Sequence, residues 1–230
     1  MEHLPNGYTL ELSADSFPLS TDSMVLAHFA KLPRQARVLD LGSGCGTLGL
    51  LLCSKKDDCH VTGIELNEKA HAAALENIRR NGLDARMESL CADLRSVSEI
   101  FSPGQFSCCV SNPPYFSGGP ASVSHPTARR EDHCTPDDLF RAADWCLKYG
   151  GDFFLVHKPE RLAELIAKAA QYKLEAKRLL LLRHRESGPI SLILLRFRKG
   201  AHPGLIIEEQ TLFSKNNEST SYYKEIYHIP

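Results

Sequence analysis

Four consecutive residues in the middle of the chain, Asn112-Pro113-Pro114-Tyr115, carry groups suited to chemistry on a planar amine. They follow an apolar run, Phe106 to Val110, that indicates a buried strand. Each proline fixes φ and lacks an N–H, and a residue before a proline avoids the α region, so Asn112 and Pro113 are expected to be extended. Their oxygens could accept both hydrogens of an NH2 group while the Tyr115 ring stacks on the base that carries it.

A glycine loop upstream is the second candidate site. The run Ala36 to Leu41 predicts a strand, Gly42-Ser43-Gly44-Cys45-Gly46 follows, and Thr47 to Ser54 is helical in pattern. Strand, glycine loop and helix in this order form a nucleotide-binding turn. Gly44, Gly46 and Gly49 also satisfy the dinucleotide fingerprint, which is weak evidence when it stands alone. Asp40 counts against a pyrophosphate ligand, which its carboxylate would repel.

Two further acids lie where strands are predicted to end. Glu65 closes the strand 60–65, about 20 residues past the glycine loop, where an acid accepts hydrogen bonds from both ribose hydroxyls of a bound nucleoside. Asp93 follows a strand predicted at 85–90, where folds of this kind place an acceptor for the adenine amino group. An isolated Asp after a strand is also a common turn residue.

The N-terminal stretch predicts a lid. Phe17-Pro18-Leu19 precedes a helical pattern through Ala30, for which Thr21 or Asp22 is the expected N-cap. An aromatic residue and a proline just before a helix cap could close over the two ends of a cofactor. The alternative is a helix that only covers a sheet edge.

The whole pattern predicts an α/β fold, a Rossmann-like doubly wound sheet of seven strands with a reversed edge strand. Further strands are expected at 152–157, 176–182 and 190–197, and further helices at 68–81, 136–149 and 159–171. The short polar link between the last two strands indicates an antiparallel hairpin. We expect an N-terminal lid segment at 1–35, a core at 36–200, and an apolar, aromatic tail at 201–230 that packs on the core.

Composition sets broader bounds. The 230 residues are 43% hydrophobic with a formal net charge of −1, which suits one globular domain. Residues 1–150 hold 14 Lys and Arg against 19 Asp and Glu, whereas residues 151–230 hold 13 against 9. The basic C-terminal third could face phosphates.

No apolar run is long enough to span a membrane and no signal peptide is evident, so a cytoplasmic protein is expected. The eight cysteines lack paired spacing, so reduced thiols and no metal are expected.

With these residues in view, the chain resembles the bacterial tRNA (adenine-N6)-methyltransferases that modify an adenosine beside the anticodon of a valine tRNA. Asp-x-Gly-x-Gly-x-Gly looks like the motif that binds S-adenosyl-L-methionine (SAM) in class I methyltransferases, and Asn112 to Tyr115 resembles their signature for exocyclic amino nitrogens. The likeness extends to Ala128-Arg129 with Glu131 and to Tyr222–Tyr227. Arg130 stands where the family usually has a histidine.

The resemblance implies SAM as cofactor and tRNA or another structured RNA as partner, with no membrane and no metal, and we expect a monomer. The implied catalytic residues are Asn112, Pro113, Pro114 and Tyr115, and the implied substrate contacts are Tyr115, Phe116, Arg129 and Arg130. The implied cofactor contacts are Phe17, Leu19, Thr21, Asp40, Gly42, Ser43, Gly44, Gly46, Glu65, Leu66, Asp93, Leu94 and Asn112.

Five other functions remain open at this point. Asn112 to Tyr115 could equally hold a protein glutamine, such as that of a translation release factor, or a DNA adenine or ribosomal guanine. The glycine loop alone would suit an NAD-dependent dehydrogenase. A non-enzymatic RNA-binding module could retain the same fold. The leading hypothesis is SAM-dependent N6-methylation of adenine in RNA, most of all tRNA, with no general base.

Overall fold

The computed structural model describes residues 2–4, 7–12, 19–113 and 134–229, and all structural statements concern these residues. The strands are β1 (Glu2–His3), β2 (Thr9–Leu10), β3 (Arg37–Leu41), β4 (His60–Glu65), β5 (Met87–Cys91), β6 (Phe106–Ser111), β7 (Leu147–His157), β8 (Leu174–Arg185), β9 (Ile190–Lys199) and β10 (Ile206–Phe213). The helices are α1 (Thr21–Phe29), α2 (Thr47–Lys55), α3 (Glu68–Arg80), α4 (Val97–Ile100), α5 (Pro136–Cys146), α6 (Leu162–Gln171) and α7 (Ser221–Tyr227).

Eight of the strands form one twisted sheet in the order β10-β8-β9-β7-β6-β3-β4-β5. Every neighbouring pair is parallel except those made by β9, which runs antiparallel to both β7 and β8. Buried apolar residues form two clusters. One contains residues of α1, α2 and α3, and the other contains residues of α4, α5 and α6. The predicted doubly wound α/β fold is therefore confirmed, with helices packed against a mostly parallel sheet.

Two details of the predicted sheet are wrong. The sheet has eight strands rather than seven, because β10 in the C-terminal stretch pairs in parallel with β8. The reversed strand β9 therefore lies inside the sheet, and β10 forms the edge strand on that side. The predicted hairpin of β8 and β9 is confirmed. The C-terminal stretch showed apolar and aromatic residues, but nothing in its pattern specified pairing with a strand already placed in the sheet.

The boundaries of most core elements follow the sequence pattern. β4 spans the predicted residues, and α3 ends one residue early, at a cap formed by Asn81 with Gly82 at φ 64°. The predicted end of α5 is wrong, because the helix stops at Cys146 and β7 starts at once. Gly150 (φ 76°) lies inside β7 at a shift of register against β6, so the Gly-Gly pair makes a bulge rather than a link.

Helix α1 is held from both ends. Its N-cap is Ser20, not Thr21 or Asp22 as predicted, and the Ser20 hydroxyl accepts a hydrogen bond from the backbone N–H of Ser23. At its C-terminal end the Lys55 ammonium donates to the carbonyl groups of Ala27 and His28, at 3.1 and 2.9 Å. The apolar side chains of α1 are buried in the core, so the helix has a fixed position over the sheet.

The C-terminal helix α7 packs against α1 and β10. The Tyr227 hydroxyl donates to Thr21 Oγ1 at 3.4 Å, at the start of α1. A row of rings follows from there, with Tyr223 stacked on Tyr227 and Phe213 against Tyr223. Within the described part of the chain, no helix has the length and apolar content needed to cross a membrane.

Candidate functional site

The candidate site lies at the carboxyl edge of the sheet, where β3, β4 and β6 end side by side. β3 is the central strand of the three, and Asp40 pairs with Gly63 of β4 on one side and with Val110 of β6 on the other. The buried Ser111 hydroxyl donates to the Leu41 carbonyl at 2.7 Å. This bond ties the end of β6 to the residue that precedes the glycine loop, so the two predicted sites are adjacent.

The glycine loop has a backbone that other residues would adopt only with strain. Gly42, Gly44 and Gly46 have φ of 76°, 55° and 83°. A Cβ added to Gly42 or Gly44 would meet no atom of the described residues within 4 Å, so open space lies over this part of the loop. The N–H groups of Gly42 and Ser43 both donate to the Ile64 carbonyl, at 3.0 and 2.9 Å, which fixes the loop against β4.

Asp40 is the most unusual acid in the described structure. It is 1% exposed, and neither carboxylate oxygen accepts a hydrogen bond from any described residue. Burial, and after it the charge of Glu65, raises the pKa of Asp40 to about 8. The buried hydroxyl of Ser43 is likewise without a hydrogen-bond partner in the described structure. Buried polar groups are normally paired, so this pair suits a ligand that brings donors or positive charge.

Glu65 connects β4 to the glycine loop. Its Oε2 accepts from the Gly44 N–H and its Oε1 from the Asn67 N–H, both at 2.8 Å. Each carboxylate oxygen can accept more than one hydrogen bond, so the ribose contact predicted for Glu65 is compatible with these bonds. The structure adds a second task, because the same carboxylate holds Gly44 in place.

Asp93, the acid that follows β5, forms hydrogen bonds with Arg95, two residues later in the chain. Asp93 caps a single 3₁₀ turn by accepting from the Arg95 N–H, and both of its oxygens accept from the Arg95 guanidinium, at 2.5 to 3.0 Å. An adenine amino group would have to share Asp93 with Arg95. Leu94, the next residue, packs on the core below, and Leu66 after β4 is 49% exposed beside the loop.

Asn112 leaves the end of β6 half-buried, and Pro113 after it is buried. The amide nitrogen of Asn112 donates to the hydroxyl of Ser23, in the first turn of α1, at 3.0 Å. Ser23 was not among the predicted site residues. It is separated from Asn112 by 89 positions, and no local pattern in the sequence marks it.

The N-terminal residues of the predicted site are partly described. Leu19 donates its N–H to Glu2 at 3.2 Å, and Thr21 opens α1 beside Tyr227. Six predicted site residues lie outside the described part of the chain, and their roles stay predictions: Phe17, Pro114, Tyr115, Phe116, Arg129 and Arg130.

A buried asparagine on α3, Asn77, supports the glycine loop, and it was not among the predicted site residues. The Asn77 side chain accepts from the Glu11 N–H at 2.7 Å and donates to the carbonyl groups of Glu11 and Cys45, at 2.9 and 3.0 Å. Asn81, one turn later, exchanges two hydrogen bonds with the backbone of Thr9. The two amides therefore bind the N-terminal segment, and Asn77 links that segment to the glycine loop.

These observations fit a nucleoside cofactor that carries positive charge. No atom of the described residues would obstruct a ligand close to the backbone at Gly42 and Gly44, and among the same residues Asp40 and Ser43 have no hydrogen-bond partner for their buried groups. Glu65 stands at the next strand end, where a ribose is bound in folds of this type.

Comparison with known sequences shows the family of this chain. The family described as methyltransferase small domain matches residues 19–176. A tRNA1(Val) (adenine(37)-N6)-methyltransferase from Shewanella halifaxensis is 31% identical over 159 residues, which are 68% of this chain and 64% of that protein, a little under two thirds of its length. The protein of the same name from Bacteroides thetaiotaomicron is 29% identical over 90% of this chain and 87% of its own.

Solved structures share the fold. A protein described as a predicted O-methyltransferase from Agrobacterium tumefaciens superposes with a TM-score of 0.77 and 22% identity, covering 90% of this chain and 96% of that one. TrmN from Thermus thermophilus gives a TM-score of 0.58 and 24% identity, with coverage of 77% and 48%. A geranyl diphosphate methyltransferase solved with SAM gives 0.58 and 12%, covering 77% and 84%.

Proposed function

The chain belongs to the methyltransferase small domain family, and from that premise we propose that it methylates N6 of an adenine in tRNA with SAM as methyl donor. Relatives at about 30% identity that carry the name tRNA1(Val) (adenine(37)-N6)-methyltransferase support the choice of tRNA and of adenine. The family match argues against the dehydrogenase alternative and supports a SAM-binding role for the glycine loop.

One observation carries the proposal. Asn112 stands at the end of β6, directly beside the strand that feeds the glycine loop, and the Ser111 hydroxyl joins the two strand ends at 2.7 Å. A group bound at the loop and a group bound at Asn112 would therefore be neighbours. Holding two reactants side by side in a fixed orientation is a large part of catalysis for a bimolecular transfer.

The loop side of this site would hold SAM. Its sulfonium, when bound, supplies an electrophilic methyl group. Asp40, in its ionised form, would face the cationic amino-acid end, with Ser43 as a further hydrogen-bond partner. The open backbone at Gly42 and Gly44 would lie under the cofactor, and Glu65 would accept from the ribose hydroxyls. Leu66, Leu94 and Asp93 would surround the adenine, and Leu19, Thr21 and Phe17 would cover it.

The strand-end side would orient the acceptor. The exocyclic nitrogen of adenine is a poor nucleophile because its lone pair is delocalised into the ring. Hydrogen bonds from its NH2 group to the Asn112 side-chain oxygen and the Pro113 carbonyl would favour a pyramidal nitrogen and direct the lone pair toward the methyl group. Tyr115 would stack on the flipped-out base, with Pro114 fixing the turn between them.

The chain needs no general base for this reaction. Once methylated, the nitrogen is cationic and strongly acidic, so it loses a proton to solvent. His157, at the end of the neighbouring β7, is buried, and burial lowers its pKa to about 4, which makes its imidazole a weak base. We therefore assign the Asn112 group an orienting role rather than a proton-transfer role.

RNA contacts are proposed for the segment that follows Tyr115. Phe116, Arg129 and Arg130 follow Asn112 in the sequence, so we assign to them the contacts with the bases and phosphates around the target. Phosphate contacts of this kind supply most of the sequence-independent affinity for nucleic acid.

Nucleoside mass spectrometry tests the proposal. Bulk tRNA from a strain that lacks the protein should lose N6-methyladenosine at one position, and purified protein with SAM should restore it. The control is the Asn112→Ala variant, which should bind SAM but restore nothing. Unchanged N6-methyladenosine in the deletion strain, with no methyl transfer to that tRNA in vitro, would refute the function.

Radiolabelled SAM separates the remaining acceptors. Added to a lysate of the deletion strain with the purified protein, it should label the tRNA fraction. Label in protein would indicate glutamine methylation, and label in DNA or ribosomal RNA would indicate the other nucleobase acceptors. Binding of SAM without any transfer would indicate a module that has kept the fold without the activity.

A further inference from the structure

The hydrogen bond between Ser23 and Asn112 connects two parts of the chain that have different tasks. Ser23 belongs to the first turn of α1 and is 7% exposed, while Asn112 follows the strand that carries the proposed reaction centre. The Asn112 Nδ2 group donates to Ser23 Oγ at 3.0 Å, and the backbone N–H of Ser23 is itself held by the Ser20 hydroxyl at 3.4 Å.

An asparagine amide has two unlike ends. One end is an acceptor oxygen and the other carries two donor hydrogens, and a turn of the amide plane by half a circle exchanges them. An incoming NH2 group can be bound only by the oxygen. If the amide were reversed, its NH2 group would face the NH2 group of the substrate, and no hydrogen bond could form between these two donors.

Helix α1 holds the Ser23 hydroxyl at the place where it accepts a hydrogen bond from the Asn112 nitrogen. It is fixed by the buried side chains along its length and by the Lys55 ammonium at its C-terminal end. Tyr227 of α7 contacts Thr21, two residues before Ser23. A hydroxyl presented from so constrained a helix offers the Asn112 nitrogen an acceptor at one defined place.

We propose that Ser23 is a positioning residue that binds the nitrogen end of the Asn112 amide and thereby turns the amide oxygen toward the amino group to be methylated. The inference rests on the proposed orienting role of Asn112, but it concerns the free protein as well. The amide is oriented before any substrate arrives, so its orientation costs nothing at the moment of reaction.

The kinetic test compares Ser23→Ala with two matched variants. Ser23→Ala should lower kcat about 3- to 10-fold, the loss expected for one neutral hydrogen bond, while the KM for tRNA and the affinity for SAM stay near the wild-type values. Ser23→Thr keeps the hydroxyl and should restore kcat. Ser20→Ala loosens the same helix turn without removing the acceptor, so it should lower the melting temperature with little change in kcat. Equal loss of kcat in Ser20→Ala and Ser23→Ala would overturn the proposal.

A second measurement needs no substrate, so it separates failure of this inference from failure of the proposed function. In nitrogen-15 NMR spectra of the intact protein, the Asn112 side-chain NH2 signals are identified by their disappearance in Asn112→Ala. In Ser23→Ala these two hydrogens should exchange with water about 3- to 10-fold faster than in the wild type, and in Ser23→Thr they should not. Unchanged exchange in Ser23→Ala would refute the positioning role even if the enzyme methylates tRNA. Faster exchange in Ser23→Ala would support the positioning role even if the methyl acceptor were a protein or DNA rather than RNA.

Discussion

Replacing Asp40 by asparagine should stabilise the protein while it weakens SAM binding. The carboxylate is buried without a hydrogen-bond partner in the described structure, and its pKa rises from 3.8 to about 8 in the fold. Between these two values the folded protein keeps a proton that the unfolded chain has released. Stability is therefore highest below pH 4, falls as the pH rises toward 8, and levels off above that.

The size of this effect can be worked from the shift. At pH 7 the unfolded carboxyl is about three pH units above its pKa, and each unit corresponds to roughly 1.4 kcal/mol, so the buried acid costs about 4 kcal/mol. An asparagine in its place carries no charge but still buries an amide, which costs about 1 to 3 kcal/mol if it stays unpaired. The net gain for Asp40→Asn is then about 1 to 3 kcal/mol, or a rise in melting temperature of about 2 to 10 °C for a chain of this size.

Thermal melts of the cofactor-free protein at pH 5 and pH 8 provide the assay, with calorimetry for SAM. The gain should be larger at pH 8. The matched control is Asp152→Asn, since Asp152 is 8% exposed but accepts hydrogen bonds from Arg196 and Arg198. That substitution should lower the melting temperature at both pH values. A lower melting temperature for Asp40→Asn at both pH values would refute the reasoning, because it would mean that the carboxylate is well solvated or paired in solution.

Three further substitutions test the roles proposed for the site. Asn112→Ala should reduce methyl transfer by about 2.7 to 4 kcal/mol, or two to three decades in rate, with SAM affinity changed only a few-fold; turnover within threefold of the wild type would remove Asn112 from the mechanism. Glu65→Ala should weaken SAM binding strongly in calorimetry, through both the lost ribose bonds and the released Gly44 N–H, and unchanged affinity would exclude Glu65 from the cofactor site. Replacing Arg129 and Arg130 together by alanine should weaken tRNA binding and flatten its salt dependence by up to about 0.9 log units per lost duplex phosphate contact, with SAM affinity unchanged. An unchanged salt slope with intact activity would place the RNA elsewhere.

Local patterns accounted for the central part of the fold. β4 follows from an apolar strand that ends in an acid, and α3 begins at the predicted residue, where the Asn67 side chain caps it. The glycine loop was predictable for the same reason, since Gly42, Gly44 and Gly46 adopt conformations that few other residues tolerate. In each case the information lies within a few neighbouring residues.

Contacts between distant parts of the chain were not predictable in this way. The pairing of β10 with β8 depends on which sheet edge is still open, and the apolar start of β10 does not specify that. The contact of Ser23 with Asn112 likewise depends on where α1 crosses the sheet. The unpaired state of Asp40 could not be seen in the sequence at all, because it arises from the packing of two neighbouring strands around it.

The binding of the N-terminal segment by Asn77 and Asn81 has a consequence for the order in which the chain assembles. The backbone groups of Thr9 and Glu11 bond to the side chains of Asn81, the cap of α3, and of Asn77 within α3, more than 60 residues later in the chain. β1 and β2 have two residues each and are too short to be stable by themselves. These residues would therefore dock late in folding, after α3 and the glycine loop are in place. Its docking supplies the Glu11 backbone partners of the Asn77 side chain, which also donates to the Cys45 carbonyl, so this segment would steady the residue that supports the cofactor loop.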